Sequence, residues 1–72
     1  MTYLDALLEL QVEGFRLVRD AEGFERPIEH EIADASVSNL PAVGLDWRGR
    51  HVYVRFVEPS GRFGDVIVEA RP

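Results

Sequence analysis

The residues whose chemistry stands out in this sequence are carboxylates gathered in one short segment. Residues 20–34 contain six acidic side chains and one arginine, so this segment alone carries a charge of −5. The six are Asp20, Glu22, Glu25, Glu29, Glu31 and Asp34. Clustered carboxylates attract the Arg and Lys side chains of a partner and compete with phosphate for them. We therefore predict that these six residues bind a partner protein with a basic surface.

The charge balance of the whole chain supports a protein partner. Residues 1–46 hold ten acidic residues and three arginines, a net charge of −7. Residues 47–72 hold three acidic residues and five arginines, a net charge of +2. Because the overall charge is −5, phosphate backbones repel the molecule, and the composition argues against direct nucleic-acid binding.

A second cluster, residues 47–56, interleaves aromatic and basic side chains. In a strand, His51, Tyr53 and Arg55 share one exposed face, as in sheets that stack bases and hold phosphate. We predict instead that these basic groups pair with the chain's own carboxylates. Nucleic-acid binding through Tyr53 and Arg55 remains a lesser alternative.

Catalysis and metal binding have little support. The chain has no Cys and no Lys, which excludes a thiolate nucleophile, a Cys-ligated metal and Schiff-base chemistry. His30 and Asp34 share a face only if their segment is helical, and they would then give a metal ion two ligands at most. We predict no enzymatic activity, no cofactor and no metal site.

The first element that positions these groups is an N-terminal helix. Thr2 is a good N-cap, and Asp5 is placed to complete a capping box. Apolar residues recur at helical spacing up to Leu10, and Gly14 favours a stop. A rival interpretation extends the helix through Gly14 to Val18, at a cost of about 1 kcal/mol for the interior glycine.

An acidic hairpin is predicted next. Residues 15–19 lead into a turn at residues 20–23, and residues 24–33 then alternate as a strand. Pro27 cannot donate to a ladder, so this strand must lie at an edge or contain a bulge. It would align three glutamates in one acidic row: Glu25, Glu29 and Glu31. The alternative is a short helix that begins at Pro27.

Residues 34–41 are polar and are predicted to be irregular, and alternating residues then predict a three-stranded meander. Its strands cover residues 43–48, 51–56 and 63–70, with turns between them. Trp47 is assigned to the core. The predicted fold is therefore α+β, with an N-terminal helix packed on a small antiparallel sheet formed by the acidic hairpin and the C-terminal meander.

Residues 1–72 are expected to form one small domain. No apolar run approaches the roughly 18 residues of a membrane span. We therefore expect a cytoplasmic protein that has no membrane partner.

The leading functional hypothesis is a non-enzymatic acidic module that docks on a basic surface of a partner protein, in particular one that handles nucleic acid. In size and charge the chain resembles small acidic inhibitors encoded by bacteriophages, such as anti-CRISPR proteins and DNA mimics. The alternative is a structural or assembly module, for instance a homodimer joined through residues 63–70 as an edge strand, whose acidity serves only solubility.

Overall fold

The computed structural model describes residues 1–71 as two helices and one five-stranded antiparallel sheet, which confirms the predicted α+β class. In chain order the elements are α1 (Tyr3–Val12), β1 (Leu17–Arg19), β2 (Glu25–Pro27), α2 (Ile28–Ser38), β3 (Ala42–Arg48), β4 (His51–Val57) and β5 (Phe63–Glu69). The sequence predicts the second helix only as the alternative to a strand.

Helix α1 begins and ends as its sequence predicts. The Thr2 hydroxyl accepts a hydrogen bond from the backbone N–H of Asp5 at 3.0 Å, and the Asp5 carboxylate accepts one from the N–H of Thr2 at 3.2 Å. Glu13 is the C-cap, and Gly14 follows with a φ of 96°, a left-handed conformation that glycine adopts without strain. The rival helix through Val18 is wrong, since Val18 lies in β1.

The hairpin between β1 and β2 is confirmed, with Arg19 opposite Glu25. The Asp20 side chain organises its turn. One oxygen, Oδ1, accepts hydrogen bonds from the backbone N–H groups of Glu22 and Phe24, each at 3.0 Å. This is the usual reason for aspartate at a turn.

The predicted strand over residues 24–33 is wrong after Pro27. Helix α2 begins at Ile28 and continues to Ser38, so it also replaces most of the segment predicted to be irregular. The helical alternative prevails because Ile28 and Ala35 are buried and Ile32 is partly buried on the same face. Asn39 ends the helix in a left-handed conformation, with a φ of 52°.

The order of strands in the sheet is β2-β1-β5-β4-β3. Strand β5 therefore lies in the centre, between β1 and β4, and the prediction of an edge strand over residues 63–70 is wrong. The reason is that β1 pairs with β5, placing Val18 opposite Val68, and so brings the N-terminal hairpin beside the last strand. A dimer joined through β5 is excluded by this order.

One face of the sheet is covered by the two helices, and the other is open. Valines of β1, β4 and β5 form the covered face and pack with Leu7, Leu10 and Ile28 of the helices. The valines are Val18, Val52, Val54, Val66 and Val68. The prediction that Trp47 is a core residue is wrong: its side chain is 49% exposed, because β3 is an edge strand. The indole packs edge-on against Phe15, with 5.9 Å between the ring centroids.

Candidate functional site

The structure divides the six predicted partner-binding residues into two groups. Three of them form ion pairs with arginines: Asp20, Glu25 and Glu31. Three are exposed and have no ion pair among residues 1–71: Glu22, Glu29 and Asp34. Half of the set is thus neutralised within the molecule.

The paired residues stabilise the fold locally. Asp20 orders the β1–β2 turn, and its second oxygen lies 3.6 Å from the Arg26 guanidinium. Glu25, at the edge of the sheet, contacts Arg71 near the C-terminus. Both carboxylates therefore have partners that a docking surface would have to displace.

Glu31 lies inside the molecule, with 8% of its surface exposed. The Tyr3 hydroxyl donates a hydrogen bond to Oε2 of Glu31 at 2.7 Å. The Arg26 Nε atom lies 2.8 Å from Oε1 of Glu31 and forms an ion pair with it. The angle at the N–H is too bent for this contact to be a hydrogen bond. Burial and the hydrogen bond to Glu31 raise the pKa of the Tyr3 phenol far above its usual range. The contact ties α1 to α2 and β2.

The predicted acidic row of three glutamates does not exist. Glu25 lies on β2, Glu29 lies on the exposed side of α2, and Glu31 points into the core. A helix turns successive side chains by about 100°, so residues that share a strand face are spread around α2.

Both helices lack arginine, and we call the set of their exposed carboxylates the acidic helix layer. Its members are Asp5, Glu9, Glu13, Glu29 and Asp34. All five are exposed, and none has an ion pair within residues 1–71. The other eight acidic residues equal the eight arginines in number, so this layer carries the whole net charge of −5.

Two of the three acidic residues of α1, Glu9 and Glu13, weaken the helix that bears them, whereas Asp5 completes its capping box. Asp5, Glu9 and Glu13 are each four residues apart and follow one line along the helix surface. Like charges at this spacing repel each other. Glu13 is also the C-cap, where the negative end of the helix dipole disfavours a carboxylate, and the last turn contains no basic residue. Helix stability therefore explains Asp5 but does not explain Glu9 and Glu13.

Exposed apolar side chains accompany the carboxylates. Leu8 is 41% exposed and Val12 is 86% exposed, one turn apart on a line adjoining the acidic one. Val37, in the last turn of α2, is 86% exposed. Many protein interfaces likewise have apolar residues at the centre and polar or charged residues around them.

On the open face of the sheet, arginines and carboxylates form ion pairs with each other. Arg55 on β4 donates two hydrogen bonds to Asp65 on β5, at 2.9 and 3.2 Å. On β3 the Arg48 Nε atom donates a hydrogen bond to Asp46 at 3.0 Å. The prediction that the basic groups of residues 47–56 pair with the chain's own carboxylates is confirmed for Arg48 and Arg55. Arg50 instead donates a hydrogen bond to the Ala70 carbonyl at 3.2 Å.

Glu69 is the centre of a second network on the open face. It is 6% exposed and accepts a hydrogen bond from Arg71 at 2.7 Å. Arg19 lies 3.3 Å from its Oε1 atom, and His51 lies 3.2 Å from the same atom. Burial raises the pKa of the Glu69 carboxyl, but the Arg71 hydrogen bond and the neighbouring positive charges outweigh it and lower the pKa.

A groove of about 680 Å³ crosses the open face between the β1–β2 turn and β3. Tyr53 and Ile67 contribute to its lining, together with Ala21 of the turn and Val43 of β3. His51, Tyr53 and Arg55 do share this exposed face, as predicted. Since His51 lies against Glu69 and Arg55 against Asp65, the stripe has little unpaired positive charge for phosphate.

Other types of site find no support in the described part of the chain. His30 and Asp34 are both exposed on α2, and within residues 1–71 no three His, Asp or Glu side chains gather around a point that could hold a metal. No helix among these residues has the length and apolar character needed to cross a membrane. No protein-family model, curated protein or solved structure matches the chain.

Sequence reasoning missed Asp5, Glu9 and Glu13 as candidate binding residues. It treated them as the solvated face of an ordinary helix. Two signals were available: their regular spacing of four residues, and the absence of any basic residue from residues 1–15. An exposed helix face normally mixes both signs of charge, because such pairs stabilise it.

Proposed function

We propose that the protein is a non-enzymatic binding module whose acidic helix layer docks on a basic surface of a partner protein. The observation that carries this proposal is the set of five exposed carboxylates that form no ion pair within residues 1–71, on helices that contain no arginine. Glu9, Glu13, Glu29 and Asp34 can bind the Arg and Lys side chains of a partner without first breaking an internal ion pair, while Asp5 also caps α1 through its hydrogen bond from Thr2.

The revised surface keeps part of the predicted one. Glu29 and Asp34 belong to both, and Glu22 is an exposed, unpaired neighbour in the hairpin turn. Asp20, Glu25 and Glu31 are assigned to the fold. Leu8, Val12 and Val37 supply the apolar contacts that give a mainly electrostatic encounter its lifetime.

The partner class follows from the chemistry of the layer. A surface with several unpaired carboxylates and no cation matches a protein surface rich in Arg and Lys, such as one that holds nucleic-acid phosphates. A module that occupies such a surface excludes nucleic acid from it. We therefore propose inhibition by competition with phosphate, as in the small acidic phage inhibitors that the chain resembles in size and charge.

The test compares two variants with the same change in charge. The helix-layer variant carries Glu9→Gln and Asp34→Asn. The control variant carries Glu58→Gln and Asp65→Asn, both of them exposed residues away from the helices. Each variant loses two negative charges, and both are checked for folding by circular dichroism.

Wild type and both variants are immobilised and used to capture proteins from a lysate of the source organism. We expect a partner that binds wild type and the control, is lost from the helix-layer variant, and is released by duplex DNA or by added salt. If the same proteins bind all three chains equally, the acidity serves only solubility and the proposal is wrong.

A further inference from the structure

The two edges of the sheet are built differently. At one edge, β2 has three residues, ends in Pro27 and leads directly into α2. At the other edge, β3 has seven residues without proline, and it carries the half-exposed Trp47. Long strands without proline or inward charges invite pairing with another strand.

The first part of the β3 edge is already occupied. The backbone N–H of Ala42 donates to the carbonyl of Met1 at 3.0 Å, and Thr2 forms a β-bridge with Pro41. A bulge follows between Ala42 and Gly44. The free edge therefore runs from Leu45 towards the β3–β4 turn.

The hairpin geometry determines which backbone groups point outward. A two-residue turn, Gly49–Arg50, joins β3 to β4 and leaves Arg48 opposite His51. Residues that flank such a turn exchange both hydrogen bonds, and pairs alternate from there. The backbone groups of Arg48 and Asp46 consequently point towards β4, and those of Trp47 and Leu45 point away from the sheet.

We propose that a second copy of this chain pairs with β3, antiparallel, about a two-fold axis at Trp47. The inference goes beyond the proposed function and does not depend on it, because the acidic helix layer takes no part in the pairing. Charge complementarity selects both the occupant and the register, as follows.

Only three symmetric registers use the outward groups of β3. One centred on Leu45 places Arg48 of the second copy opposite Ala42, whose N–H is already bonded to Met1. One centred on Asp46 places this carboxylate opposite its own copy, and like charges directly opposite each other destabilise a sheet. The register centred on Trp47 places Asp46 opposite Arg48 of the second copy, twice by symmetry. The Asp46–Arg48 pair of each chain, 2.9 Å apart, would then meet the opposite charges of the other chain.

The Trp47 register also covers apolar surface. The two Trp47 side chains would lie opposite each other on the helix-facing side, next to Phe15 of each copy. Aromatic pairs across strands stabilise a sheet. The two sheets join into one of ten strands, with both pairs of helices on the same side.

The first test uses the only tryptophan of the chain. Sedimentation velocity of wild type over a series of protein concentrations should detect a monomer–dimer equilibrium. The Trp47 emission should shift to shorter wavelength over the same concentration range, because dimerisation removes the indole from water. A wild type that remains monomeric at millimolar concentration, or dimerises without a change in emission, overturns the proposal.

The second test is specific for the register. Asp46→Arg and Arg48→Asp should each raise the dimer dissociation constant by about tenfold, since each places like charges opposite one another at two symmetric positions. The double variant restores opposite charges and should dimerise like wild type. Asp65→Arg, on the same open face but far from the edge, is the control and should not alter the constant.

Circular dichroism confirms that each variant is folded before its dimerisation is measured. Failure of the double variant to recover dimerisation, although folded, contradicts the Trp47 register. Equal dimerisation of all four variants contradicts pairing through β3. An extended peptide from another protein is the competing occupant, and a strictly monomeric chain would favour it over a second copy.

Discussion

The helix layer and the open sheet face handle charge in opposite ways. On the open face, the Nε atom of Arg55 lies 2.9 Å from Oδ1 of Asp65. The buried Glu69 carboxylate on the same face contacts two arginines and a histidine. On the helices, Asp5, Glu9 and Glu13 follow one line without a cation beside them. Paired charges are explained by the fold that contains them, whereas unpaired like charges reduce its stability and indicate a use outside it.

The strongest expected effect comes from removing the buried carboxylate that joins α1, α2 and β2. Glu31→Ala leaves the Tyr3 hydroxyl without its partner and leaves the Arg26 guanidinium with only the Asp20 carboxylate, 3.6 Å away. We expect a loss of about 2–3 kcal/mol, less than for a fully buried ion pair because Arg26 is partly exposed. The change is measured by urea unfolding. Glu29→Ala, on the exposed side of the same helix, is the control and should change stability by less than about 0.5 kcal/mol.

A matched pair of glycines compares the covered and open faces of the sheet. A Cβ at Gly64 would lie 2.6 Å from the Phe56 ring, which stacks on Tyr3 at 4.3 Å between ring centroids. Gly64→Ala should therefore lower stability by about 1–3 kcal/mol, since the ring cannot move without disturbing the core. Gly44→Ala meets nothing within 4 Å and should be nearly neutral. Equal unfolding midpoints would contradict the tight packing at Gly64.

Acid should weaken the open-face network selectively. The pKa of Glu69 is lower in the folded chain than its ordinary value of 4.5. Its contribution to stability is therefore complete above that value and is lost as the pH falls through the lower folded pKa. Glu69→Gln should cost about 1 kcal/mol at pH 7 and progressively less below pH 4.5.

The measurement is urea unfolding at a series of pH values, with Glu58→Gln as an exposed control that has no ion pair. A difference between wild type and Glu69→Gln that stays constant down to pH 2 would show that the charge of Glu69 is unimportant.

The smallest expected effect has the opposite sign. Glu9→Lys relieves repulsion along α1 and places a cation in its last turn, so it should stabilise the fold by about 0.3–1 kcal/mol. The same change should weaken binding to the proposed partner. Thermal unfolding measures the first effect, with Glu22→Lys in the hairpin turn as control. A destabilised Glu9→Lys variant would mean that the carboxylates are part of the fold after all.

Features that depend on neighbouring residues were predictable from the sequence. The capping box of Thr2 and Asp5, the stop at Gly14 and the turn at Asp20 each involve residues at most four positions apart. The alternation along β4 is equally local, and it correctly predicted the buried valines and the exposed stripe.

The second helix and the strand order depend on contacts between distant residues. Ile28 and Ile32 are four residues apart, a spacing that fits one face of either a strand or a helix. The contact between Tyr3 and Glu31 favours the helix, and it joins residues 28 positions apart. Likewise, the central position of β5 comes from its pairing with β1, at the other end of the chain.

In the candidate site, too, the local features were predictable from the sequence and the contacts between distant residues were not. The density of carboxylates in residues 20–34 is visible in the sequence, but their partners are not. Arg71 reaches Glu25 across 46 positions. A count of charges along the chain could not show that Glu25 and Glu31 are ion-paired, nor that Glu9 and Glu13 have no ion pair within residues 1–71.

The absence of arginine from both helices has a consequence for how the molecule moves. Its negative charge is centred on one side of its mass, so a positive surface exerts a torque that turns the helices forward before any contact is made. Orientation during approach shortens the search for the productive encounter. At physiological ionic strength, dissolved salt screens this attraction beyond about 8 Å.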